Sequence, residues 1–170
     1  MKLIRAGLIL ATALIITACG FKPMHAPTAF GGKTVALKNI RVEMQANGKV
    51  DFLLAQALRN RMGDNAGTPY ILKITPALNR SRLGIGADDV ASRYDLVLEG
   101  EFELVDAKTK DVVYRGDVRA ISTFGAPSDP YGTVAAQNNA EEQVAAEAAD
   151  RIIARLAGYQ ASAEQQTSDK

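Results

Sequence analysis

The stretch "SRYDLVLEGEFELVD", residues 92–106, limits the possible folds more than any other part of the chain. Tyr94, Leu96, Leu98, Phe102 and Leu104 fall on one parity, and Asp95, Glu99, Glu101 and Glu103 on the other. Successive side chains of a pleated backbone point to opposite sides, so this period of two predicts a strand with one apolar and one wet face. A polar turn, "AKTKD", follows, and then "VVYRGDVRAISTF" alternates again. Val112, Tyr114, Val118 and Ala120 are expected on one face, with Arg115, Asp117 and Arg119 on the other. The two stretches therefore predict a hairpin with glutamates facing arginines across its solvated side.

A sheet with one apolar face needs a second layer to cover it. Two helical patterns supply that layer. In "KVDFLLAQALRNRMGDNAG", Val50, Leu54, Ala57, Leu58 and Met62 recur at spacings of three and four, and Gly63 or the following "DNAG" ends the pattern. The second pattern begins after "APSDPYG", where Ser128 or Asp129 can cap and Pro130 suits the first helical position. Its stripe of Ala140, Val144, Ala148, Ile152 and Leu156 reads as core packing, close to a sheet because the alanines are small. Gly158 is expected to close this helix, leaving residues 159–170, "YQASAEQQTSDK", as a disordered polar tail.

Two more strands are expected. "KTVALKNIRVEM", 33–44, changes its phase of alternation between Leu37 and Ile40, which predicts a bulge near Lys38 and Asn39. "PYILKITPALNRSRL", 69–83, places Tyr70, Leu72 and Ile74 on one face, and Pro76 marks an edge or a bulge because it has no N–H to donate. The order β-α-β-β-β-α predicts an α+β domain over 34–158: a two-layer sandwich, a four-stranded sheet with two helices on one face.

The chemistry open to such a domain is narrow. Cys19 is the single cysteine and His25 the single histidine, so neither a metal cluster nor a histidine-based nucleophile relay can be assembled. The carboxylates sit on wet strand positions or charged helix faces, and the expectation is a protein that is not an enzyme. With 20 basic and 19 acidic residues the chain has no basic field to hold nucleic acid.

The N-terminus carries the strongest local signal. Lys2 and Arg5 precede an apolar run from Leu8 to Ala18, too short to span a bilayer and of signal-peptide length. Residues 1–18 are thus expected to be a cleaved leader. Ile16, Thr17, Ala18 and Cys19 resemble a bacterial lipobox. That resemblance implies a diacylglyceryl group on the Cys19 thiol, cleavage after Ala18 and acylation of the new amino group; no other cofactor is expected. An ordinary secretory signal with an incidental cysteine is the alternative. Gly20, Pro23 and Pro27 interrupt any helical continuation, so residues 19–33 read as a lipidated tether.

A lipobox followed by "CGFKP", a first helix with "LAQALRNRM", the strand "SRYDLVLEGEFEL" and a terminal helix with "EAADRIIARLA" occur here in this order. Together they resemble the lipopolysaccharide-assembly lipoprotein family LptE, also called RlpB, over roughly residues 16–157. The resemblance implies a lipid-anchored, non-enzymatic subunit on the periplasmic side of the outer membrane. It would be the plug and assembly partner of the LptD β-barrel and would contact lipopolysaccharide. Gly20 after the cysteine, in place of an aspartate that retains such proteins at the inner membrane, implies outer-membrane sorting. The family's basic residue before the third strand has no counterpart here, since that loop reads "GIGADDV". Arg80, Arg82 and Arg93 flank the loop and could pair with lipid phosphates, or could be solvated strand-end charges. Asp88 and Asp89 could join divalent-cation bridges to the same phosphates. The alternative function is an auxiliary lipoprotein of an ABC-type lipid transport system.

Overall fold

The alternating stretches form four strands in the computed structural model, which describes residues 37, 40–45, 47–63, 67–85, 91–127 and 129–168. The elements are β1 (Ile40–Glu43), α1 (Lys49–Met62), β2 (Tyr70–Ile85), β3 (Ala91–Asp106), β4 (Val112–Gly125) and α2 (Pro130–Ser168). The leader, Cys19, Gly20 and the tether lie outside the described residues, as do the bulge expected at Lys38 and Asn39 and the pair Asp88 and Asp89.

The sheet has the order β1-β2-β3-β4. β1 pairs parallel with β2, which the intervening α1 permits, because parallel neighbours need a crossover rather than a tight turn. The other two pairings are antiparallel. The result is a four-stranded mixed sheet with two helices on one face, the expected α+β sandwich.

The core lies between sheet and helices. Ile40 and Val42 of β1, Leu72 of β2, Leu98, Phe102 and Leu104 of β3, and Val118 and Ala120 of β4 are buried against Leu54, Leu58 and Met62 of α1 and the Val144–Ile152–Leu156 stripe of α2. Ala145, Ala148 and Ala149 are also buried, and their small side chains let α2 lie close to the sheet. Room is also made by two glycines in the sheet. A Cβ on Gly116 would come within 2.5 Å of the Phe102 ring tip, since the ring fills that space. A Cβ on Gly100 would come within 2.9 Å of the Thr75 carbonyl oxygen, so β2 and β3 approach closely only because that residue is glycine.

Local signals act as expected at two helix ends. Gly63 closes α1 with a φ of 87°, its N–H donating to the Arg59 carbonyl at 2.7 Å. Asp129 caps α2, its Oδ2 accepting the Gly132 N–H at 2.7 Å. The N-terminus of α1, by contrast, follows Gly48 without a side-chain cap.

Two expectations are corrected. Val112 does not share the face of Tyr114: the β3/β4 register shifts between Leu104 and Val105, so Val112 pairs with Val105 and turns to the outer face. Val113 is the extra residue of this bulge, which the doubled valine hides from a period-two reading. Nor does Gly158 end α2, which continues to Ser168, so the tail expected to be disordered is helical that far. Tyr159 holds the continuation by stacking on Tyr114, with ring centroids 4.6 Å apart. Gly158 can be helical as well as left-handed, and a tertiary contact decides between them.

Candidate functional site

β2 and β3 pair without a break from Tyr70 to Leu83, far beyond the four residues of β1, and β4 stays paired with β3 as far as Arg93, so the sheet continues past β1 as three strands with β2 at its edge. Arg80, Arg82 and Arg93 all sit on this extension, but they do not converge. Arg80 lies opposite Leu96 and Arg82 opposite Tyr94, residues of the apolar parity of β3. Both arginines therefore stand on the helix side of the sheet. Arg93 has the other parity and stands on the outer face, opposite Leu83 on one side and Gly125 on the other. All three are exposed.

Arg80 is the one built into a structure. Its guanidinium lies 4.4 Å from the centroid of the Tyr94 ring, and Tyr94 stacks on Phe124 at 5.3 Å. Leu96, Phe124 and Ala140 form a small buried cluster under this stack. A guanidinium over an aromatic face gains about 0.5–1 kcal/mol at an exposed site. Arg80 Nη1 also donates to Gln137 Oε1 of α2 at 3.3 Å, and Gln137 Nε2 donates to Glu141 Oε1 at 2.8 Å. Glu141 is 8% exposed, and its Oε2 lies 2.9 Å from Lys49 Nζ at the start of α1. Burial pushes the Glu141 carboxyl up, but the hydrogen bonds from Gln137 and Lys49 and the Lys49 charge outweigh it and hold the group below its usual range. A polar chain thus runs from the arginine platform on β2 through α2 to α1.

The outer face is a different surface. Arg115 pairs with Glu103 at 2.8 Å and Arg119 with Glu99 at 3.1 Å, the cross-strand pattern expected of the hairpin. Asp117 instead faces Glu101, and it is balanced by Arg155, which reaches from α2 to 3.0 Å. Between these charges lies a shallow depression of about 460 Å³ lined by Thr75, Ala77, Glu99, Glu101, Asp117 and Arg119. Among the described residues no helix is long and apolar enough to cross a membrane.

The arginines were visible in the sequence, but the Arg80–Tyr94–Phe124 stack was not. Tyr94 and Phe124 are paired residues in the hairpin, and counting back from the turn would have found them only with the bulge at Val113 allowed for.

Comparison with known proteins places this architecture. The family model for lipopolysaccharide assembly, LptE, matches residues 37–156, from just before β1 to the last core residue of α2. A crystal structure of a lipoprotein from Caulobacter crescentus is similar at 30% identity, with a TM-score of 0.61, covering 75% of this chain and 93% of that one. The rare lipoprotein B of Shewanella oneidensis shares the fold at 18% identity, with a TM-score of 0.55 and coverage of 74% and 98%. Lipoprotein B of Nitrosomonas europaea does so at 12% identity, with a TM-score of 0.57 and coverage of 75% and 86%. No curated protein matches.

Proposed function

The chain belongs to the lipopolysaccharide-assembly family LptE, and from that membership we propose that it is the lipid-anchored subunit of an outer-membrane lipopolysaccharide translocon, seated in an LptD-like β-barrel. The observation that carries this reading is the extent of the family match, which takes in the whole sandwich rather than one motif.

The physical chemistry supports the finer parts. Outer-membrane barrels have polar interiors, and a domain whose exposed sheet face carries paired charges of both signs suits such a lumen. The Cys19 lipid would anchor the domain on the periplasmic side of the outer membrane, where Gly20 directs it. One acyl chain holds a protein only marginally and two hold it stably, so a fully acylated Cys19 suffices without any membrane-spanning helix. The protein works as plug and assembly partner and performs no chemistry of its own. Arg80 and Arg82, on one face, and Arg93, on the other, are the candidate contacts for lipopolysaccharide phosphates, because a guanidinium fork matches phosphate oxygens.

Extraction of the full chain in mild detergent tests the partnership. The expected result is co-purification with a large β-barrel protein whose electrophoretic mobility changes on heating. Recovery of the domain without such a protein would refute the barrel reading.

A further inference from the structure

The two edges of the sheet are treated differently. On the β4 edge, Arg151 Nη1 of α2 donates to the Arg119 carbonyl at 2.8 Å and Arg155 clamps Asp117, so α2 folds over the main chain there. On the other edge β1 covers β2 only from Tyr70 to Lys73, and among the described residues no strand pairs with β2 beyond that point on this side. Pro76 shows which groups the uncovered stretch presents. It sits inside an unbroken β2/β3 ladder, so its nitrogen faces away from β3. Main-chain groups alternate sides along a strand, and the N–H groups of Leu78, Arg80 and Arg82 therefore face the open side too. An edge of this kind is a template for another strand.

We infer that this edge, from Leu78 to Leu83, is a docking surface for an acidic, extended segment of a partner protein, which joins the sheet beside β2 in line with β1. Charge selects the occupant. Residues 70–85 carry Lys73, Arg80 and Arg82 and no carboxylate, in a chain whose charges otherwise nearly balance. Arg82 has no ion-pair partner among the described residues, and a strand bearing carboxylates opposite β2 would supply one. A second copy of β2 would bring cations against cations, which cross-strand pairing disfavours. The chain's own segment 19–42 is no better matched, since it holds Lys22, Lys33, Lys38 and Arg41 and no acidic residue. Leu78 and Leu83, 39% and 40% exposed, add apolar contacts on the two faces of the joined strand. The inference does not rest on the barrel partnership, and either can fail without the other.

Hydrogen exchange, read by NMR on the full chain in detergent, tests it with three synthetic peptides. One alternates Glu and Val, the second is the same peptide N-methylated at alternate residues, and the third has Lys for Glu. The first should slow exchange at the Leu78, Arg80 and Arg82 amides about tenfold at saturation, the effect of one added backbone hydrogen bond each. The other two should leave exchange unchanged. In an Arg80→Glu/Arg82→Glu variant of native circular dichroism the preference should reverse to the Lys peptide. Absence of slowing with the Glu peptide, equal slowing with the Lys peptide, or a dimer that already protects these amides without peptide would each overturn the inference.

Discussion

Gly158→Ala is expected to stabilise the protein, against the usual rule for a glycine near a helix end. The residue is exposed on α2, a Cβ there would meet nothing within 4 Å, and positive φ among the described glycines occurs only at Gly63 and Gly67. Alanine is favoured over glycine inside a helix by about 0.8–1 kcal/mol. That preference counts towards global unfolding only if the turn is tied to the core. Tyr159 ties it, stacking on Tyr114, whose ring lies 6.0 Å from that of the buried Phe102. Some fraying at the end of the helix reduces the gain to about 0.5–1 kcal/mol. With a urea m-value of about 2 kcal/mol/M, the midpoint should rise by about 0.25–0.5 M at unchanged slope in far-UV circular dichroism. If Gly158 instead closed the helix in a left-handed conformation, alanine would cost about 1 kcal/mol and the midpoint would fall. A fall would refute both the continuous helix and the anchoring role of Tyr159.

Gly116→Ala should lower stability by about 1–3 kcal/mol through overpacking against Phe102, and Phe102→Leu in the same chain should recover part of it; strict additivity in the double-mutant cycle would contradict the contact. Asp129→Ala should cost about 1 kcal/mol in urea unfolding through loss of the α2 cap, while Asp129→Asn should cost little. The folded-state pKa of Glu141 is depressed, so its contribution is complete above the unfolded-state pKa and is lost as pH falls through the folded one. Acid titration of stability should accordingly be shallower in Glu141→Gln than in the parent, and identical slopes would show that Lys49 and Gln137 do not hold the carboxylate. Cys19→Ala should abolish palmitate labelling and membrane fractionation, and a variant that still takes up palmitate would exclude the lipobox reading.

What could be read in advance was whatever has a local cause. The faces of β3 follow from strict alternation, α1 ends at Gly63 because the chain there turns to positive φ, and Asp129 and Pro130 mark the start of α2 by capping chemistry. Pro76 correctly pointed to an edge, since a proline inside a doubly paired strand would leave a ladder position without a donor. The misses have non-local causes. The fate of Gly158 depends on Tyr159 meeting a ring more than forty positions away in the chain, and Val112 is turned outward by a bulge between two identical valines. For the candidate site, residue type was legible and arrangement was not. Arg80, Arg82 and Arg93 look like one cluster along the chain, yet pleat and register put the first two on the helix side and the third on the outer face. The polar chain from Arg80 to Lys49 spans three elements and has no sequence period at all.

The central claim is a role in delivering lipopolysaccharide to the outer leaflet, and the most direct measurement is the surface share of lipopolysaccharide in cells depleted of this protein. Accessibility to an impermeant label, compared with total lipopolysaccharide, should fall as the protein is depleted and recover when the full chain is restored. An unchanged surface share through full depletion would contradict the account.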